Sequence, residues 1–167
     1  MANKYYYLVS SLPFLRFAQP GHLDKQAFLS ECRKWLSEND MEMLESAAPG
    51  SAGRPVNDTP VLRAWKEFDK NLRSELALAR AWAKGNRHDK PVSSAKVVWE
   101  QANPLLMEQS LERLRWGYLD YLEAGNFFDI NFLILYFLKL QIIERLGCFN
   151  KENGEAVFRD MCEVNYE

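Results

Sequence analysis

The segment FFDINFLILYFLKLQII, residues 127–143, is the most apolar part of the chain and constrains the fold most strongly. Its central run, Phe132 to Leu138, is far shorter than the roughly 20 apolar residues that a membrane span needs. The expected helix, from about Asp129 to Leu146, is apolar on every face in its middle. Such a helix lies at the centre of a bundle or against another protein. The polar residues that interrupt the segment are Asp129, Asn131, Lys139 and Gln141.

Further helices are predicted where a capping residue precedes apolar residues at helical spacing. Thr59-Pro60 and Asn103-Pro104 combine a cap with a proline at the first helical position. They predict helices from Pro60 to about Gly85 and from Pro104 to about Glu123. Other helices are predicted from Asp24 to about Glu38, from Asp40, over residues 95–102, and from Asn150 through Cys162. The predicted fold class is all-α, an irregular bundle of six or seven helices.

The beginning of the sequence differs from the rest. Tyr5 to Val9 is aromatic and β-branched and is followed by Pro13, which predicts an extended N-terminal segment lying on the helices.

Residues 48–60 contain three prolines and two glycines and predict a flexible loop. With 167 residues, the chain is long enough for one domain with its own core. We therefore expect a single helical domain over 1–167, in which the loop separates a helical pair (24–47) from the main bundle (59–164).

The composition excludes several classes of function. A net charge of −2 lacks the basic excess of nucleic-acid-binding proteins, so we expect no nucleic-acid partner. Cys32, Cys148 and Cys162 have no zinc-site spacing. They indicate reduced, mostly buried thiols in a cytoplasmic protein. We expect neither a signal peptide nor a transmembrane helix.

Candidate catalytic residues do not combine into a recognisable site. His22 and His88 stand beside turn residues, and Ser10 and Ser11 lack the frame of a nucleophile elbow. Glu108 and Glu112 lie one helical turn apart, which is typical of an exposed, solvated pair. The sequence therefore predicts a protein that is not an enzyme and has no cofactor or metal.

The end of the apolar helix has two interpretations. Lys139, Glu144 and Arg145 flank the apolar run and could form the polar end of a core helix. They could instead form the rim of a partner-binding surface whose apolar part is Phe132 and Tyr136. Both readings remain open from the sequence alone.

The opening YYYLVSSLPFL, followed by AFLSECRKWLSEND, resembles the start of a family of uncharacterised bacterial proteins. These proteins are encoded in operons for V/A-type ATPases, at the position where archaeal operons carry the C subunit. The resemblance covers about the first quarter of the chain. It rests on Tyr5, Tyr6, Tyr7, Leu8, Ser10, Ser11, Leu12, Pro13, Phe28, Leu29, Cys32, Leu36 and Asp40.

The resemblance implies a non-catalytic, C-like or accessory subunit that links the central stalk to the membrane rotor ring by protein contacts. Its partners would be the other ATPase subunits, and it would be peripheral to the membrane through that complex. The alternative is an unrelated helical adaptor that binds another partner through residues 127–145 and the 48–60 loop.

Overall fold

The computed structural model describes residues 5–19, 23–48, 58–85, 97–98, 100–149 and 151–162. Seven helices and no strand occur in these ranges, which confirms the all-α fold class. The helices are α1 (Tyr6–Ser11), α2 (Lys25–Cys32), α3 (Glu38–Glu45), α4 (Pro60–Ala83), α5 (Pro104–Glu123), α6 (Ile130–Gly147) and α7 (Lys151–Cys162).

Helix α6 forms the centre of the bundle, which is one of the two positions predicted from its apolar circumference. Helices α2, α3, α4 and α5 all contact it. Every residue from Leu133 to Leu140 is buried, and Phe28 of α2 stacks on Tyr136 and Phe137. The helical pair 24–47 therefore packs on the same core as α5 and α6.

A second, smaller apolar cluster joins the later part of α4 to the earlier part of α5. Leu72, Leu76 and Ala79 are buried there together with Val98. Of the helix predicted over 95–102, only part lies within the described residues. Residues 97–98 are helical, but residues 100–102 form a turn and a bend, so the predicted end of this helix is wrong.

Side-chain caps fix the beginnings of the long helices, at Thr59 and Asn103 as predicted and also at Asp129. Thr59 Oγ1 accepts from the Leu62 amide (3.2 Å), Asn103 Oδ1 from the Leu106 amide (2.8 Å), and Asp129 Oδ1 from the Phe132 amide (3.0 Å). Each such cap typically contributes about 1 kcal/mol. Asp24 likewise caps α2, but the cap predicted at Asn150 lies outside the described residues.

The extended stretch predicted over Tyr5–Val9 is wrong, because these residues lead into and form most of helix α1. No strand accompanies this segment in the described part of the chain, so burial of Leu8 on the core decides its conformation instead of β propensity. The chain becomes extended only at Leu12, which precedes Pro13 and is therefore disfavoured in a helix.

The predicted boundaries between α2 and α3 are also wrong. Helix α2 ends at Cys32 instead of Glu38, and Ser37 instead of Asp40 caps α3. Trp35 consequently lies in the turn between them and is 47% exposed. The 48–60 loop falls mostly outside the described residues, as do His22 and His88.

Candidate interaction surfaces and clefts

The five residues predicted to bind a partner do not share one exposed face. Tyr136 and Lys139 are buried, Phe132 and Glu144 are partly buried, and Arg145 is exposed. An exposed apolar patch over 132–138 is thus not present, because most of this run is core.

The buried members of this set hold the bundle together. Tyr136 donates to the Pro13 carbonyl (2.8 Å), which ties the extended segment after α1 to α6. Burial raises the pKa of the Tyr136 hydroxyl, so it remains a donor. Glu144 accepts from the Lys25 amide (2.7 Å) at the start of α2. Lys139 pairs with Asp120 (2.7 Å) and Glu123 of α5.

Phe132, Tyr136 and Lys139 border a cleft of about 730 Å³ between the extended segment and α5 and α6. Aromatic rings supply much of its wall, and Lys139 Nζ lies 5.4 Å from the centre of the Trp116 ring. Lys139 is already paired with two carboxylates of α5, so its charge is balanced within the chain. The aromatic side chains of the wall are Phe14, Phe17, Trp116, Phe127, Phe132 and Tyr136.

The opening motif divides into a buried side and an exposed side. Tyr5 donates its hydroxyl hydrogen to Asp40, and Leu8 is fully buried. Tyr6 and Tyr7 point the other way and are 53% and 69% exposed. The consecutive tyrosines therefore differ in their surroundings, and Tyr5 is the one that bonds to Asp40 of α3.

Tyr6 and Tyr7 form an aromatic patch with Phe128 and Trp35. The Tyr6 and Phe128 rings are 4.9 Å apart, and the Tyr7 and Trp35 rings are 4.8 Å apart. Helical spacing did not reveal this patch, since its members come from three separate segments. The run of tyrosines was the only sequence signal for it.

Backbone strain accompanies the aromatic patch. Phe128 has φ = 60°, a conformation that bulky residues rarely adopt, and its carbonyl accepts from the Tyr5 amide (2.5 Å). Such a conformation typically costs about 1–3 kcal/mol and persists where the surroundings fix it. The turn between α5 and α6 thus presents the Phe128 ring to α1.

A second cleft, of about 670 Å³, is lined by residues of α4, α5 and α6 and by residues 46–48. We call it the basic cleft, because five of its lining side chains are basic and two are acidic. The basic side chains are Lys66, Lys70, Arg73, Arg115 and Arg145, and the acidic ones are Asp69 and Glu112.

Glu112 is only 1% exposed, so the prediction of an exposed Glu108 and Glu112 pair is wrong. Arg115 pairs with Glu112 (2.7 Å) and with Asp69 of α4 (2.8 Å), and Arg145 reaches Glu108 (2.5 Å) and Glu112 (3.3 Å). Burial raises the pKa of the Glu112 carboxyl, and the neighbouring Arg115 charge opposes that rise. The exposed-pair prediction failed because α4 and α6 pack beside these glutamates, which brings Arg145 of α6 to both of them and links Glu112 to Asp69 of α4 through Arg115.

The cysteines differ from the prediction that they are mostly buried. Cys32 is buried, whereas Cys148 and Cys162 are exposed. Burial raises the pKa of the Cys32 thiol to about 12, so it remains protonated. Within the described ranges, no three metal-ligating side chains come together.

Helix α7 carries an apolar face that the described part of the chain leaves exposed. Val157, Phe158 and Met161 lie on this face, and each is more than half exposed. The prediction of this helix is confirmed.

The fold and these surfaces define a helical protein whose exposed aromatic and basic features are its candidate contact sites. None of the described helices is both long and apolar enough to cross a membrane. Residues 92–164 match the model of a family described as "Protein of unknown function (DUF2764)". The match includes α5, α6 and α7, covers less than half of the chain, and does not include the opening motif. Searches of curated proteins and of solved structures found no significant match.

Proposed function

We propose that this chain is a non-catalytic, C-like or accessory subunit of a V/A-type ATPase that links the central stalk to the membrane rotor ring. The observation that carries the proposal is the opening motif, residues 5–15, which resembles the start of proteins encoded in such operons. Its role would be exerted through protein contacts, and it would reach the membrane only through the complex.

The packing of the chain suits a part that must transmit force. A socket between stalk and ring needs a stiff body, and α6 is surrounded by four helices. The hydrogen bond from the Tyr136 hydroxyl to the Pro13 carbonyl and that from the Lys25 amide to the Glu144 carboxylate fix peripheral segments to this central helix. Close-packed interiors of this kind transmit strain with little deformation.

The aromatic patch of Tyr6, Tyr7, Trp35 and Phe128 is the docking surface that we assign to this role. Tyrosine and tryptophan are enriched at the energetically important centres of protein interfaces. Leu8 is buried and Tyr5 donates to Asp40, whereas Tyr6 and Tyr7 are 53% and 69% exposed. The exposed side of the motif therefore lies where a partner can reach it.

The test is affinity capture of the tagged chain from its own cells, comparing wild type with the double variant Tyr6→Ser, Tyr7→Ser. We expect wild type to recover stalk and rotor-ring subunits in fixed proportion and the double variant to lose them. Tyr121→Ser is the matched control, because Tyr121 is a tyrosine of similar exposure (73%) on α5. Circular dichroism checks that each variant is folded.

Recovery of ATPase subunits by wild type and Tyr121→Ser alone supports both the role and the docking surface. Equal recovery by all three proteins would overturn the docking surface. Absence of ATPase subunits from the wild-type capture would overturn the proposed function.

The second candidate is a helical adaptor for an unrelated partner, and the exposed apolar face of α7 favours it. An amphipathic helix can lay such a face into an apolar groove of another protein. The same capture distinguishes the two roles. An unrelated partner that is lost on Phe158→Ser, with no ATPase subunit present, would support the adaptor.

A further inference from the structure

The basic cleft concentrates positive charge on a chain whose net charge is −2. Lys66, Lys70 and Arg73 follow one another at steps of four and three along α4, which places them on the same helix face. Arg145 lies on the wall contributed by α6. The cleft therefore has cations on facing elements.

The acidic groups of the cleft lie mainly at its floor. The side chains of Glu112 and Asp69 are 2% and 15% exposed, and Arg115 bridges them. By contrast, the side chains of Lys66, Arg73 and Arg145 are each about half exposed or more. The part of the cleft that solvent reaches is thus more basic than its floor.

Rim carboxylates balance part of this charge. Asp58 pairs with Lys66 (2.8 Å), and Glu108 pairs with Arg145 (2.5 Å). Arg73 pairs with Asp69 (2.6 Å), which it shares with Arg115. Lys70 has no ion-pair partner among the residues that the structure describes, so the excess charge is centred on α4.

Gln141 of α6 also lines the cleft. Its amide Nε2 is buried and has no hydrogen-bond acceptor in the described part of the chain. Buried polar groups are nearly always paired with protein atoms or with water, and an oxygen atom of a bound molecule in the cleft would also satisfy this donor.

We propose that the basic cleft binds a small phosphate compound carrying at least two negative charges, such as one with a pyrophosphate group. Its volume of about 670 Å³ lies within the range of small-molecule sites. Guanidinium groups donate pairs of hydrogen bonds to phosphate oxygens, and lysine adds a compact charge. Apolar side chains, including Leu62 and Trp65, complete the wall beside the cations.

The experiment is titration calorimetry of the full chain with pyrophosphate at low salt. We expect wild type to bind, with an affinity that falls as salt rises, and the double variant Lys70→Ala, Arg73→Ala to bind at least about tenfold more weakly. The double variant keeps Arg115 as the partner of Asp69, so it should fold.

The matched control is Arg33→Ala, Lys34→Ala, which removes the same charge from an exposed turn after α2. It should bind pyrophosphate as wild type does. No binding to wild type, or equal loss in both double variants, would overturn the site.

Citrate tests whether phosphate is specifically required. Binding of citrate as tight as that of pyrophosphate would overturn the assignment to phosphate, because any multivalent anion would then suffice. Weaker citrate binding supports it. The measurement uses the isolated chain, so its outcome does not depend on the proposed role in an ATPase.

Discussion

Replacing Arg115 with methionine tests whether the buried charges below the basic cleft act as a unit. The Arg115 side chain is 13% exposed and bridges Glu112 and Asp69, which belong to different helices. After Arg115→Met, Asp69 keeps Arg73 as a partner, but buried Glu112 keeps only the longer 3.3 Å contact to exposed Arg145. Glu112 is therefore the carboxylate left insufficiently paired.

Breaking a buried ion pair by removing one partner typically destabilises a protein by about 3–5 kcal/mol. Because Arg145 still reaches Glu112, we expect Arg115→Met to lower the free energy of unfolding by about 3 kcal/mol, the lower end of this range. Glu112→Gln should cost about 1 kcal/mol, since Arg115 retains Asp69. In the double variant Arg115→Met, Glu112→Gln, no charge remains at position 112. Its loss in free energy of unfolding should therefore be at least about 1 kcal/mol smaller than the sum of the losses of the two single variants.

Urea unfolding followed by circular dichroism measures the four proteins of this cycle. The Arg115→Met deficit should also shrink as pH falls. Glu112 already has a raised folded pKa, and removing Arg115 raises it further. A carboxyl with a raised folded pKa binds protons more readily in the folded state, so stability is lost as pH rises through that pKa. Additive losses within about 0.5 kcal/mol, together with a pH-independent deficit, would refute the coupled network.

Two further predictions concern the core and the thiols. Phe132→Asp places a charge on a partly buried position that packs on the core, and we expect it to cost several kcal/mol in urea unfolding. A variant of wild-type stability would show that Phe132 is a surface residue. With a thiol reagent under native conditions, Cys148 and Cys162 should react quickly and Cys32 only after unfolding. Rapid reaction of all three thiols in the folded protein would contradict the burial of Cys32.

The long helices could be predicted because their signals are local. Thr59, Asn103 and Asp129 cap the helices that they were predicted to begin, and the apolar circumference of α6 correctly indicated a central helix. Each cap depends on residues within one helical turn, and the apolar circumference depends only on residues of the helix itself. In these helices, tertiary contacts stabilise the same conformation that the local sequence favours.

Contacts between distant segments explain what the sequence alone did not reveal. Helix α1 forms where the local composition favours a strand. The packing of Leu8 on the core, which requires distant segments of the chain, outweighs that local preference. Buried Glu112 contacts Arg145, 33 positions later, and is linked to Asp69 of another helix through Arg115. The aromatic patch likewise joins Tyr7 to Trp35 across a turn whose position was mispredicted.

The most direct test of the proposed role is to purify the V/A-type ATPase from cells that lack this chain and to measure ion pumping per ATP hydrolysed. The proposal predicts that the stalk and the rotor ring separate, or that ATP hydrolysis continues without pumping, and that adding the chain back restores coupling. A complete and fully coupled ATPase from those cells would contradict it.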